Sequence, residues 1–230
     1  MNQEDNHQRF AAVRTGDILL FSGWCRTAMI LRTYINSMYT HTAVAVWLKT
    51  SNGRRLYCYD AGPLREKDTM SPNYAKKVGV RLFNISKLTN RYSQVHYRPI
   101  NVVRNNEFYL LLKEFMHEFH YRSFRPSLQL IRIHSCSSSP EGTGIYCTEL
   151  CSAWLERLGL LSSDELRDRP HWKSTPRDIA DSSLYTGAFR GNTMVVYDEG
   201  TEHNIRGGLV GLLILGLMVY IVITVLKSKR

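Results

Sequence analysis

Two periodicities alternate along this chain. From Tyr39 to Leu48 the pattern repeats every two residues: His41, Ala43, Ala45 and Trp47 share one face, and Thr42, Val44, Val46 and Leu48 the other, as in a β-strand. From Gly144 to Gly159 the spacing is helical, with Cys147, Leu150, Cys151, Trp154, Leu155 and Leu158 on one stripe. Gly144 would let the chain turn into this helix, and Gly159 suits its C-terminal cap. Arg14 to Ser22 reads as a Gly-Asp turn feeding a buried strand, with Asp17 as a turn residue. Gly23 to Ser37 has helical spacing, and Gln8 to Val13 reads as a short lead-in helix. Asn52-Gly53 is a hairpin signal, with Arg55 to Ala61 as the returning strand. Val78 to Phe83 and Gln94 to Ile100 are further strands, separated by a helical turn at Ile85 to Tyr92. Asn105 opens a helix carrying Phe108, Leu111, Leu112, Phe115 and Phe119 on one face. Thr175-Pro176 begins a short helix, and Asn192 to Asp198 closes the sheet. Gly62 to Lys77, with two prolines, is expected to be irregular and to form part of a substrate groove. Ser162 to Pro176 reads as polar loop. The expected class is α+β, an antiparallel sheet packed against helices that include the Cys147 helix.

The far end follows neither period. Gly207 to Leu226 has no charged residue, is apolar on every face and is long enough to cross a bilayer as a helix. Gly207-x-x-x-Gly211 offers a face for a second copy of the span, but Gly is common in membrane helices, so the motif alone does not establish a homodimer. The expected organisation is a lead-in at 1–13, one domain at 14–198, a juxtamembrane linker at 199–206, a transmembrane helix at 207–226 and a basic tail at 227–230. All 20 acidic residues precede Gly207, whereas three of the 30 basic ones follow Leu226, so the part before the span is itself basic. Membrane lipids are therefore the expected partner, and nucleic acid is not, because the Lys and Arg are scattered without a basic-aromatic motif. No secretory signal opens the chain, and its five cysteines lack a disulfide framework, so reduced thiols on the cytosolic side of a C-terminal anchor are expected.

Candidate chemistry begins with Cys147. A cysteine in the first turn of a helix sits at the positive end of its dipole, where a thiolate is favoured. The competing reading is a small buried hydrophobe, which suits Cys151, one turn deeper, better. His117 and His120 do not form a zinc pattern with any neighbouring acid and read as exposed surface. His41 and Asp60 fall on the same face of adjacent strands. An ideal turn at Asn52-Gly53 sets Asp60 opposite Ala45, about 13 Å along from His41. A register shift by two or four residues would bring the pair together without changing faces. The small Ala43 and Ala45 mark the surface on which the Cys147 helix is expected to lie.

Six stretches stand in a fixed order: Thr15-Gly-Asp-Ile-Leu-Leu-Phe21, Tyr39-Thr-His-Thr-Ala-Val-Ala45, Cys58-Tyr-Asp-Ala61, Gly79-Val-Arg-Leu82, Tyr146-Cys-Thr-Glu-Leu150 and Ser174-Thr-Pro-Arg-Asp178. The ordered set resembles the circularly permuted papain-like thiol hydrolases, including permuted relatives of NlpC-type peptidases and, more distantly, the lecithin:retinol acyltransferase group. The resemblance implies a permuted papain-like fold with Cys147 as nucleophile, His41 as general base and Asp60 as the residue orienting the histidine. The family often has Glu at the third position, and its Cys-Ser-Glu is Cys147-Thr148-Glu149 here. It also implies a membrane-anchored hydrolase of amidase, peptidase or thioesterase type, working through an acyl-enzyme and requiring neither metal nor cofactor. A lipid acyltransferase or phospholipase-like enzyme on the same fold, and a non-catalytic membrane-anchored interaction module, are the alternatives.

Overall fold

The computed structural model describes residues 10–23, 26–51, 53–89, 92–125, 144–168, 170–181, 185 and 187–198. Among these, six strands form one antiparallel sheet: β1 (Ile18–Gly23), β2 (His41–Thr50), β3 (Gly53–Lys67), β4 (Lys76–Asn84), β5 (Tyr92–Arg98) and β6 (Met194–Asp198), in the order β4-β3-β2-β1-β5-β6. The helices are α1 (Arg26–Ile35), α2 (Ser86–Thr89), α3 (Asn106–Phe119), α4 (Cys147–Arg157), α5 (Ser163–Asp168) and α6 (Pro176–Ala180), with 3-10 turns at Pro72–Tyr74 and His171–Lys173. The fold is α+β. The expected linker, span and basic tail lie outside the described residues, as do Cys25 and Cys136. Among the described residues no helix is long and apolar enough to cross a membrane.

Strand alternation sorts the apolar side chains onto two covered faces. On one, Ile18, Leu20, Val44, Val46, Tyr59 and Leu82 pack with Phe108, Leu112 and Phe115 of α3 and with Leu150, Cys151, Trp154 and Leu155 of α4. Trp154 is fully buried and donates its indole N–H to the Gly16 carbonyl at 3.1 Å, tying α4 to the start of the sheet. On the other face, Leu19, Phe21, Ala43, Ala45, Cys58, Phe83 and Val95 form a second cluster with Phe10 and Val13. Burying each large apolar side chain contributes roughly 1.5–3 kcal/mol.

Several expectations change. The Cys147 helix lies on the Val44 and Val46 face, not against Ala43 and Ala45; there Trp154 packs on Phe108 and Phe115 of α3. The lead-in at Phe10–Ala12 is a turn rather than a helix, and Phe10 and Val13 belong to the core. The β2–β3 turn sits one residue earlier than Asn52-Gly53, since Thr50 pairs with Gly53. Gly53 is the first residue of β3 and holds a positive φ of 93° directly after the turn. The expected irregular stretch at Gly62 to Lys77 is irregular only in its middle, from Asp68 to Ala75: β3 runs on to Lys67, β4 begins at Lys76, and their register slips between Gly62 and Glu66, around Pro63. Asp68, fully buried, organises the β3–β4 connection by accepting from Met70 N at 3.1 Å, Leu82 N at 3.0 Å and Ser71 Oγ at 2.7 Å. It also holds His120 Nε2 at 3.2 Å, so His120 is a buried partner rather than exposed surface. His117 is exposed. The polar stretch after α4 folds into α5 and the turn at His171–Lys173.

Gly79 and Gly53 provide a direct check of this packing. Both hold positive φ, but a Cβ on Gly79 would lie 2.5 Å from the Arg122 carbonyl oxygen, whereas one on Gly53 would meet nothing within 4 Å. Gly53→Ala should cost about 1–2 kcal/mol of conformational strain in urea unfolding. Gly79→Ala should cost clearly more, about 3 kcal/mol or above, through the added clash with backbone.

Candidate active site

The site is assembled where three elements end. Helix α4 starts at Cys147 because Tyr146 is extended, with φ −115° and ψ 170°, and because Glu149 reaches back to accept from Tyr146 N at 3.4 Å. Arg125 pairs with Glu149 at 3.2 Å. The buried Tyr146 donates its hydroxyl to the Ser174 carbonyl at 2.8 Å, pinning the residue before Cys147. Gly144 is needed for close approach rather than for an unusual turn: a Cβ there would lie 3.3 Å from Arg125 Cα, and its φ is not positive. At the other end Gly159 adopts a φ of 67° and donates to the Glu156 carbonyl at 2.7 Å.

His41 is the first residue of β2 and Asp60 lies on β3. Ala45 pairs with Cys58. Continuing that register sets Asp60 across from Ala43 and diagonal to His41, a shift of two from the ideal turn. His41 Nε2 and Asp60 Oδ2 are 2.7 Å apart and both side chains are buried. With Nε2 committed to the carboxylate, Nδ1 is the ring nitrogen left for the thiol. The ring is stacked on Tyr92, with centroids 5.8 Å apart and planes 7° apart, and lies 5.6 Å from Phe21. Arg81, opposite Asp60 on β4, donates Nε to Asp60 Oδ1 at 3.1 Å and is itself buried. The order is therefore guanidinium, carboxylate, imidazole, thiol.

The electrostatics of the thiol and the imidazole are coupled. Burial favours the neutral form of His41, but the charge of Cys147 and the hydrogen bonds to Asp60 and Cys147 outweigh it and raise the histidine above its ordinary value. Burial likewise works against the Cys147 thiolate, yet the charge of His41, its hydrogen bond, the Thr42 backbone and the Thr148 hydroxyl lower the thiol below its ordinary value. Thr148 Oγ1 is 3.8 Å from Sγ. These opposite shifts favour a thiolate–imidazolium pair over the neutral thiol and imidazole. Cys151 and Cys58 go the other way, pushed up chiefly by burial. Cys147 is the partly exposed cysteine among the described ones. No three His, Cys, Asp or Glu side chains among the described residues gather as a metal set would.

The structure thus brings together Cys147, His41 and Asp60. Arg81, Tyr92 and Thr148 were assigned no role from sequence. For Arg81 a signal was there: a lone charge in the otherwise apolar Val78–Phe83 strand calls for a buried partner of opposite sign. Tyr92 carried none, because stacking on His41 depends on β5 pairing with β1 rather than with β4.

No family model matches the chain, and no curated protein does. Among solved structures the chain is similar to the metalloprotein yiiX (DUF1105) of Escherichia coli O157:H7, at 14% identity over 64% of this chain and 67% of that one, with a TM-score of 0.42.

The shifts fix the sign of a pH dependence. Iodoacetamide should alkylate Cys147 readily at neutral pH, with a rate that falls as pH drops through the lowered thiol value. Asp60→Asn removes two influences that raise His41, so His41 falls, Cys147 rises and the acid limb moves to higher pH. An unmoved limb in a folded Asp60→Asn protein would place the carboxylate outside the site.

Proposed function

We propose that the protein is a cysteine hydrolase acting through an acyl-enzyme, with Cys147 as nucleophile, His41 as general acid and base, and Asp60 as the residue that orients and charges the histidine. The observation that carries this is the coupled Cys147–His41–Asp60 constellation, with the thiol lowered and the imidazole raised. Its order along the chain and its position at a helix start are what a permuted papain-like fold would need.

In this reading the thiolate Sγ attacks an acyl carbon, and the carbonyl π pair moves onto oxygen. Backbone N–H groups in the first turn of α4 face the developing oxyanion, assisted by the helix dipole. Collapse of the intermediate breaks the bond to the leaving group, which takes the proton from His41. His41 then accepts a proton from water, the resulting hydroxyl attacks the thioester, and the acid leaves as the thiolate reforms. Asp60 holds the ring tautomer throughout, and Arg81 holds Asp60.

A second reading, acyl transfer to or from a membrane lipid, is favoured by the course of β6. Asp198 pairs with Gln94, which pairs with Ser22, one residue beyond the Phe21–His41 pair. The chain therefore leaves the sheet at the end that carries the thiol, nine positions before the apolar stretch that starts at Gly207. A tail anchor there would hold the site beside the bilayer, on its cytosolic side, where the thiol stays reduced.

An acyl-directed thiol probe separates these readings from a non-catalytic module. Wild type should be labelled at Cys147 and turn over; Cys147→Ala should lose labelling and turnover by several orders of magnitude while keeping its unfolding midpoint. Cys151→Ala should keep the activity and lose about 1 kcal/mol of stability. Turnover surviving in Cys147→Ala would overturn the enzyme reading.

A further inference from the structure

At the end of the sheet remote from the thiol, arginines crowd two adjoining depressions. The first, about 310 Å³, is lined by Arg14, Arg54, Arg104 and Trp47. The second, about 260 Å³, shares Arg14 and Arg104 and adds Arg190 and Asp17. Trp47 stands six residues along β2 from His41, about 20 Å away at the usual strand rise. Neither depression therefore belongs to the catalytic constellation.

The charge here is only partly compensated: Arg14, Arg54 and Arg190 are exposed, and Arg104 is partly buried against Asp17. Asp17, fully buried, is the acid lining the second depression, and both its oxygens are engaged. Oδ1 accepts from Arg104 Nη2 at 2.5 Å and from Ile100 N at 3.0 Å; Oδ2 accepts from Arg14 N at 2.7 Å. Arg104 is fixed further by donating Nε to the Thr15 carbonyl at 2.7 Å. Arg190 donates Nε to Asn101 Oδ1 at 3.0 Å, and Arg54 lies over the Trp47 ring at 5.1 Å. The guanidinium of Arg14, between the two depressions, has no hydrogen-bond or ion-pair partner among the described residues. Burial and the charges of Arg14 and Arg190 all work against the charge on Arg104, with Asp17 opposing them. Of these four guanidinium groups, only that of Arg104 pairs with Asp17, so the lining keeps a net positive charge.

We propose that these joined depressions bind a phosphate-bearing anion, with Arg14 as its central ligand and Arg54, Arg104 and Arg190 around it. Guanidinium forks match the oxygen faces of a phosphoryl group, and a phosphoryl group brings close to two negative charges where a carboxylate brings one. A cavity of this volume accepts a small phosphorylated molecule or a lipid headgroup. The shared chemistry is the phosphate, and its source is a matter for experiment.

The test is a thermal titration of the full chain in nonionic detergent at fixed ionic strength. One arm uses pyrophosphate and the other a water-soluble short-chain phosphatidylinositol bisphosphate, with potassium chloride as control. A saturable rise in Tm is expected with at least one probe, and tighter binding of the inositol lipid would identify a headgroup as the source. Arg14→Gln should weaken binding about tenfold or more without lowering the ligand-free Tm, because it removes a repelled charge that holds nothing. Arg190→Gln should weaken it independently, and neither change should alter the alkylation rate of Cys147, which keeps this result separate from the hydrolase reading. An equal Tm rise from chloride alone, no rise with either probe, or an undiminished rise in Arg14→Gln would overturn the proposal.

Discussion

Asp60 is the constraint on which the candidate site rests. It is a fully buried carboxylate with a guanidinium on one side and an imidazole on the other. Removing one partner of a buried charge pair typically costs about 3–5 kcal/mol, because the remaining charge stays out of water. The three strands β2, β3 and β4 must therefore pair in the register that sets Asp60 opposite Arg81 and diagonal to His41. A slip of one residue would turn Asp60 toward the face occupied by α4 and leave Arg81 without its acid. The polar cluster thereby selects the same register as the apolar alternation around it.

That register has a consequence for the thiol. His41 belongs to the face of Phe21, Ala43 and Ala45, whereas α4 packs on the opposite face with Val44 and Val46. A helix on one side of a sheet can meet a side chain from the other only at the sheet's end. His41 opens β2, and Cys147 opens α4, so the first turn of the helix reaches it and the second does not. This explains why two cysteines one turn apart differ in chemistry. Cys151 is sealed against the sheet, where burial raises its thiol, while Cys147 is partly exposed and interacts with His41, which lowers its thiol.

Much of this arrangement was legible in the sequence because it is periodic. The strict alternation of β2, the stripe of α4 and the capped starts of α3 and α6 each follow from local spacing, and each element formed within a few residues of its expected limits. The face on which α4 lies was not legible. Small residues at 43 and 45 and branched ones at 44 and 46 are both compatible with a helix, and the choice depends on volumes contributed by distant elements. The continuation of β3 past Pro63 was hidden for a similar reason: proline argues against a strand locally, but a bulge absorbs the missing donor. His120 read as surface because its partner, Asp68, lies 52 positions earlier and meets it only through the β3–β4 connection. The shared face of His41 and Asp60 followed from parity; their contact needed the turn to move by one residue.

The same strand that opens with His41 leads to Trp47 and the arginine-lined depressions at its far end. The sheet between them is buried on both faces, so its stiffness favours independence of the two ends over any coupling between them. Attraction across about 20 Å is also largely screened at physiological salt, where the Debye length is about 8 Å. An anion held by Arg14 would then act on where the domain sits or how stable it is, and leave the thiol's ionisation to Asp60 and Arg81. If the chain leaves β6 toward a bilayer at the thiol end, the arginines face away from that bilayer. Their phosphate would in that case come from the aqueous phase or from an opposing membrane, and the headgroup of the anchoring leaflet would be out of reach.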